Sequence, residues 1–373
     1  MSSGTIDFID AARNGRLDLV RQCLDENKVQ VDMQNNTGDA AIIVAAMKGH
    51  EEICKLLLSK GCNINIQNKN GSSALTLAAD NGNKEICKLL VTAGCNLDIQ
   101  DNDGYSALIW AARWGHKEIL ELLVSKGCNI NVQTKDGYTA LIFAANNGHQ
   151  EIGVLLISKE CNINTQTIHD TTALILAAMK GHQQICESLI NARCKLDIHD
   201  KKECETALIK AASNGHYRIC ELLVLNGCNV HFQNIDGDTA LITAAFNGHQ
   251  EICELLVTAG CHLDTKNKRG STALIKAARN HKVKVTVALI KAGSDHSGKD
   301  NAGKTAMDYM KETYKRSFRS CILSLIGYEP REIMEVQVAI NSADAANTRA
   351  TYLKNRKELI NERNKGLSES NKL

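Results

Sequence analysis

The segment Gly298-Lys-Asp-Asn-Ala-Gly303-Lys304-Thr305 satisfies the phosphate-loop expression G-x-x-x-x-G-K-[ST]. In that motif backbone amides and a lysine cradle nucleotide phosphates, which requires a strand before it and a helix N-terminus facing the phosphates. Here Val287-Ala-Leu-Ile-Lys-Ala-Gly293 reads as a helix, so nucleotide binding is not expected. Six histidines (His50, His116, His149, His182, His216 and His249) recur at one place in a repeated phrase. Packed helices lie about 8 to 10 Å apart, too far for such single residues to share one ion at about 2 Å. They read as turn residues. Of 15 cysteines, one set (Cys54, Cys87, Cys186, Cys220, Cys253) falls within a helix and another (Cys62, Cys95, Cys128, Cys161, Cys194, Cys228, Cys261) just after it. There is no Cys-x-x-Cys pair for zinc. Members of one set, a repeat apart, exceed the roughly 7 Å between Cα atoms that a disulfide tolerates. Free thiols acting as small buried hydrophobes in a reducing compartment are expected. No nucleophile–base pair or Gly-x-Ser-x-Gly occurs. No catalytic residue, metal ligand or cofactor is therefore assigned.

Bulk properties exclude further classes. Lys plus Arg (44) nearly cancels Asp plus Glu (42), so no overall field recruits nucleic acid or an acidic membrane. No apolar run approaches the roughly 18 to 20 residues of a membrane span. The start, MSSGTIDFID, lacks a secretory signal pattern, so Asn35-Asn-Thr37 and Asn70-Gly-Ser72 are not expected to be glycosylated. A monomer in the cytoplasm is expected, with the nucleus as the alternative.

The elements that carry these residues follow from a phrase recurring every 33 residues, Gly-x-Thr-Ala-Leu-Ile-x-Ala-Ala-x-x-Gly-His, as at Gly237–His249. Its opening glycine returns at Gly38, Gly71, Gly104, Gly137, Gly270 and Gly303, and the phase runs through Asp170 and, after a one-residue insertion, Cys204. A fixed period of this kind marks stacked units that bury their apolar faces only against neighbours. Each unit predicts two short helices and a polar loop. Thr239, with Thr139, Thr172, Thr206, Thr272, Ser73 and Ser106 at the same position, is the expected N-cap of the first helix. Ala244 and Ala245 leave room for close packing, and Gly248 ends the helix. Ile252, Leu255 and Leu256 form the apolar stripe of the second helix, and Gly260 suits the left-handed residue after it. Glu160, Asp170, Arg193 and Cys204 replace glycines in mid-chain, which predicts a soft joint there.

This pattern resembles the ankyrin repeat over roughly residues 5–325. One departure is uniform: Thr-Ala-Leu-Ile or a close variant stands where that family has Thr-Pro-Leu-His. The resemblance implies an all-α solenoid: an N-terminal capping unit (1–37), eight repeats (38–302), a C-terminal capping unit (303–325) and a helical extension with a disordered end (326–373). It also implies that loop tips and first helices line a concave binding face. Tyr105, Trp110, Trp114, Tyr138 and Phe143, including both tryptophans, fall at variable positions of two consecutive units. Hot spots favour such residues, so a protein partner is expected there. A basic run (Lys266, Lys268, Arg269, Lys276, Arg279, Lys282, Lys284, Lys291, Lys299) meets only Asp264 and Asp295 in that stretch. Lys276 and Arg279 are its candidate contacts for an acidic peptide or phosphoinositide. The expected function is a non-enzymatic scaffold or adaptor. The alternative is a regulatory or targeting subunit that engages an enzyme through the segment from Glu332.

Overall fold

A computed structural model of the chain describes residues 3–310, with side chains from residue 8 onward. The extension over 326–373 and most of the closing unit lie outside the described residues. The chain divides into two compact units, one ending at Ile168 and one beginning at His169. The first contains α1 (Ser3–Arg13), α2 (Leu17–Asp25), α3 (Ala41–Lys48), α4 (Glu51–Ser59), α5 (Ala74–Asp80), α6 (Lys84–Thr92), α7 (Ala107–Trp114), α8 (Lys117–Ser125), α9 (Ala140–Asn147) and α10 (Gln150–Ser158). The second contains α11 (Ala173–Lys180), α12 (Gln183–Asn191), α13 (Ala207–Asn214), α14 (Tyr217–Leu225), α15 (Ala240–Asn247), α16 (Gln250–Thr258), α17 (Ala273–Arg279) and α18 (Val283–Lys291). Every named element among the described residues is a helix. Within each unit the first helices of successive repeats pack in one row (α3 on α5 on α7 on α9; α11 on α13 on α15 on α17). The second helices pack in another row.

The first helices start without proline. From α5 onward Ser or Thr caps them instead, while α3 has Ala40 at that position and no side-chain cap: the hydroxyls of Thr139, Thr172, Thr206, Thr239 and Thr272 each accept from the backbone amide three residues on. The alanine pairs that follow, such as Ala111–Ala112 and Ala244–Ala245, are fully buried and let helices approach closely. In the second helix one leucine per repeat (Leu90, Leu123, Leu189, Leu223, Leu256) is fully buried, each worth about 1.5 to 3 kcal/mol of apolar burial. The expected stripe of α16 is corrected in one position: Ile252, Cys253 and Leu256 are buried, while Leu255 is only half-buried.

Four of the six turn histidines bind backbone of the preceding repeat. Nε2 of His50, His149, His216 and His249 lies 3.0, 3.1, 3.2 and 3.2 Å from the carbonyl oxygens of Arg13, Arg113, Met179 and Ser213 in the preceding repeat. This geometry requires the proton on Nε2, which donates. The ring also covers the preceding turn: a Cβ on Gly215 (φ +80°) would stand 2.7 Å from the His249 ring. Glycine is thus required there both for its left-handed conformation and for its missing side chain. The loops form a second ladder. Lys69, Asn102, Lys135 and Ile168 in the first unit donate amides to the carbonyls of Thr37, Asn70, Asp103 and Asp136, and Lys201, Ile235, Lys268 and Asn301 do the same in the second unit.

The mid-chain insertion is absorbed at a loop tip. The Asp200 amide reaches the Glu205 carbonyl, five residues on, where the matching bond elsewhere spans four, as from Asn234 to Asp238. Glu160, Asp170, Arg193 and Cys204 adopt the left-handed conformation (φ between 52° and 60°), as do Asn27 and His281. Each carries the steric cost of a side chain there, about 1 kcal/mol or more. Replacing the exposed Glu160 or Arg193 by glycine should therefore raise stability by about 0.5 to 1 kcal/mol in urea unfolding, despite glycine's greater unfolded freedom. A loss of stability in both variants would show that neighbouring contacts already relieve the strain.

Candidate functional site

Four of the five aromatic residues expected at a binding face, Tyr105, Trp110, Tyr138 and Phe143, meet in one cluster at α7, α9 and the loops before them, and Arg113 links the fifth, Trp114, to it. Tyr105 stacks on Trp110 (ring centroids 4.4 Å apart), Tyr138 stacks on Phe143 (5.0 Å), and Tyr105 links the two pairs at 5.7 Å from Phe143. Repeat geometry creates this contact. Trp110 and Phe143 occupy the same position of α7 and α9, and Tyr105 and Tyr138 follow the opening glycine of each unit. Their roles differ by depth. Phe143 is 8 % exposed and joins Ile109 and Val132 in a core cluster on which Tyr105 and Tyr138 pack. Trp110 is half-buried, and Trp114 is 53 % exposed. Phe143 therefore forms the floor, and Trp114 is the outward ring.

Two residues outside the sequence expectation organise the cluster. Arg113 places its guanidinium carbon 5.5, 5.2, 5.4 and 5.6 Å from the ring centroids of Tyr105, Trp110, Trp114 and Phe143. One of its N–H groups donates to the Tyr105 hydroxyl at 3.1 Å. Burial pushes the Tyr105 phenol upward, an effect that nearby Arg113 opposes and Asp136 reinforces. Asp80, at the end of α5, accepts from the Trp114 indole N–H at 2.7 Å and pins that ring to the preceding repeat. The adjacency of Arg113 to Trp114 was visible in the sequence; the role of Asp80, 34 residues away, was not.

The basic run does not form one surface. Lys284 and Lys291 lie exposed on α18, in the second-helix row. Lys266, Lys268, Arg269 and Lys299 lie exposed on loops, and Lys266 donates to the Lys299 carbonyl at 3.1 Å. Lys276, a candidate contact for an acidic partner, lies against an acid of its own fold. It is 9 % exposed, its ammonium lies 3.9 Å from the Asp238 carboxylate, and it sits over the Phe246 ring at 5.6 Å. Asp238 belongs to the preceding repeat, well before the basic stretch, and the repeat fold brings it across to α17. Arg279 is exposed, over the Tyr309 ring at 5.6 Å.

Within the phosphate-loop expression, the segment before Gly298 contains α18, Gly303 is left-handed (φ +75°), and Thr305 caps the helical residues that follow by accepting from the Asp308 amide at 3.2 Å. The fourteen described cysteines are free thiols. Burial pushes Cys54, Cys87, Cys186 and Cys253 up to about 12, away from the reactive thiolate. We expect all 15 cysteines of the chain to react with a thiol reagent after denaturation without reductant, and these four to react slowly in the native protein at neutral pH. Recovery of several intramolecular disulfides from fresh protein would contradict the packing argument.

Family comparison matches ankyrin repeats (3 copies) to residues 8–101, 60–134, 126–202, 176–267 and 208–300. With the two-row helical packing, this defines an all-α ankyrin solenoid, and the chain belongs to the ankyrin repeat family. Ankyrin repeats generally mediate protein–protein interaction and are typically non-enzymatic. No curated protein is similar enough to the chain to count as a match. Among the described residues, no helix is long and apolar enough to cross a membrane.

Proposed function

We propose that this protein is a non-enzymatic scaffold or adaptor that holds a partner protein on the first-helix and loop face around Tyr105, Trp110, Trp114 and Tyr138, with Phe143 as the floor beneath. The observation that carries this reading is the exposed, pinned indole of Trp114 beside a half-buried aromatic cluster in a chain with only 4 % aromatic residues. The Trp114 ring is tied to another repeat by that hydrogen bond yet keeps about half of its surface in solvent, surface that the fold does not use. It is already ordered for binding, which lowers the entropy cost of association. The reducing cytoplasm or nucleus suits the many free thiols. Arg279 is a weaker candidate, since neighbouring Lys276 is neutralised by Asp238. The reading is tested by affinity capture from the native cell with the parent chain and with Trp110→Ala and Trp114→Ala. Partners recovered equally by all three would reject this face.

A further inference from the structure

We infer that Arg113 is the specificity element of this face, and that the partner segment it takes presents an aspartate or glutamate side chain next to an apolar residue. The inference rests on the proposed interaction face and adds the chemistry of its occupant. The argument starts from what Arg113 does not do. Among the described residues no carboxylate comes within ion-pair distance of it, although Lys210 and Lys276, at the helix position of Trp110 in later repeats, both have such partners. A guanidinium carries five N–H donors. In Arg113 one of them is used, toward the Tyr105 hydroxyl at 3.1 Å. Four aromatic rings lie within 5.6 Å of its central carbon, and their faces attract the cation and hold it in place without supplying a counter-charge.

A planar cation surrounded by rings leaves its N–H edge as the remaining recognition element. That edge matches the two oxygens of a carboxylate in a bidentate pair. A second cation is disfavoured there by repulsion, and a neutral amide leaves the charge uncompensated. The half-buried site makes such a pair stronger than a fully solvated one. Trp114, with its N–H committed to Asp80, offers only its apolar surface, so the residue flanking the acid should be apolar or aromatic. The overall charge of +2 does not produce this selectivity; it arises from a side chain that has no ion-pair partner among the described residues, although Asp101, Asp103 and Asp136 lie near enough to act on the Tyr105 phenol and an incoming acid must outweigh their repulsion.

The test selects short random peptides displayed on phage against the full-length chain, then measures synthetic peptides of the selected sequence by calorimetry. The expected result is enrichment of Asp or Glu beside an apolar residue. Changing that acid to its amide in the peptide should weaken binding about tenfold to a hundredfold, as expected for a lost charged hydrogen-bond pair. The peptide change leaves the protein intact and so cannot be confused with unfolding. Arg113→Gln should lose the same affinity, and Arg113→Lys should recover only part of it. Selected peptides that need Trp114 but show no acidic preference, or that bind Arg113→Gln as well as the parent, would overturn the inference and leave the interaction face standing. Selected peptides indifferent to Trp114→Ala would overturn both.

Discussion

Truncating Trp114 to alanine should weaken a genuine partner by about 2 kcal/mol or more, roughly thirtyfold in affinity, while changing folding stability much less. The asymmetry follows from its position. The residue is 53 % exposed, so about half of its surface adds nothing to the fold and is left for a partner to cover. Trp110→Ala should show a similar loss in binding together with a measurable loss of stability, because that ring is half-buried and stacked on Tyr105. Phe143→Ala should separate from both: a buried ring costs about 3 to 5 kcal/mol when removed, and its effect should appear first in urea unfolding. Paired calorimetric and unfolding measurements on the three variants check this order. If Trp114→Ala loses stability but no affinity, the exposed ring serves the fold and the proposed face falls.

Lys210→Met should cost about 3 kcal/mol of stability at neutral pH, and much less in acid. Lys210 occupies in α13 the position that Trp110 holds in α7, and its side chain is 13 % exposed. Its ammonium lies 2.6 Å from Glu205, 3.0 Å from Asp200 and 3.1 Å from Glu203. Methionine preserves the volume but leaves three neighbouring carboxylates without their cation. Burial would raise the Asp200 carboxyl, but the Glu203 amide, the Lys210 ammonium and the Glu205 amide outweigh it and hold it below its ordinary 3.8. A carboxyl depressed on folding stabilises above its unfolded value, and this stabilisation is lost as pH falls through the folded value. For Lys210 burial opposes the charge, but bonds to Glu205 and Asp200 outweigh it and hold the ammonium above its ordinary 10.5. That contribution is complete below 10.5 and is lost as pH rises through the folded value. The parent should thus keep this stabilisation on a plateau between the two limits. The deficit of Lys210→Met should shrink below about pH 4, as the carboxylates protonate. Equal deficits at neutral and acid pH would mean that lost packing, not unpaired charge, is responsible.

The repeat, its two helices, their caps and their left-handed turns were legible in the residue order, because those depend on contacts a few residues apart. Thr239 caps α15 through an amide three residues away, and Arg193 takes the conformation of the glycine it replaces. The family followed from the same period. Even the association of Tyr105, Trp110, Tyr138 and Phe143 was foreshadowed, since equal positions in adjacent repeats are neighbours in a stack. Tertiary structure alone decided depth and pairing. It placed Phe143 in the floor and Trp114 in solvent, gave the Trp114 N–H to Asp80, and neutralised Lys276 with Asp238. It also left Arg113 with rings around it and, among the described residues, no carboxylate at ion-pair distance. The period places residues in register but does not specify the side-chain rotamers. Whether a variable residue points into the inter-repeat core, toward an ion partner or into water depends on side chains about thirty residues away, so exposure and charge compensation are settled only when successive repeats are in contact.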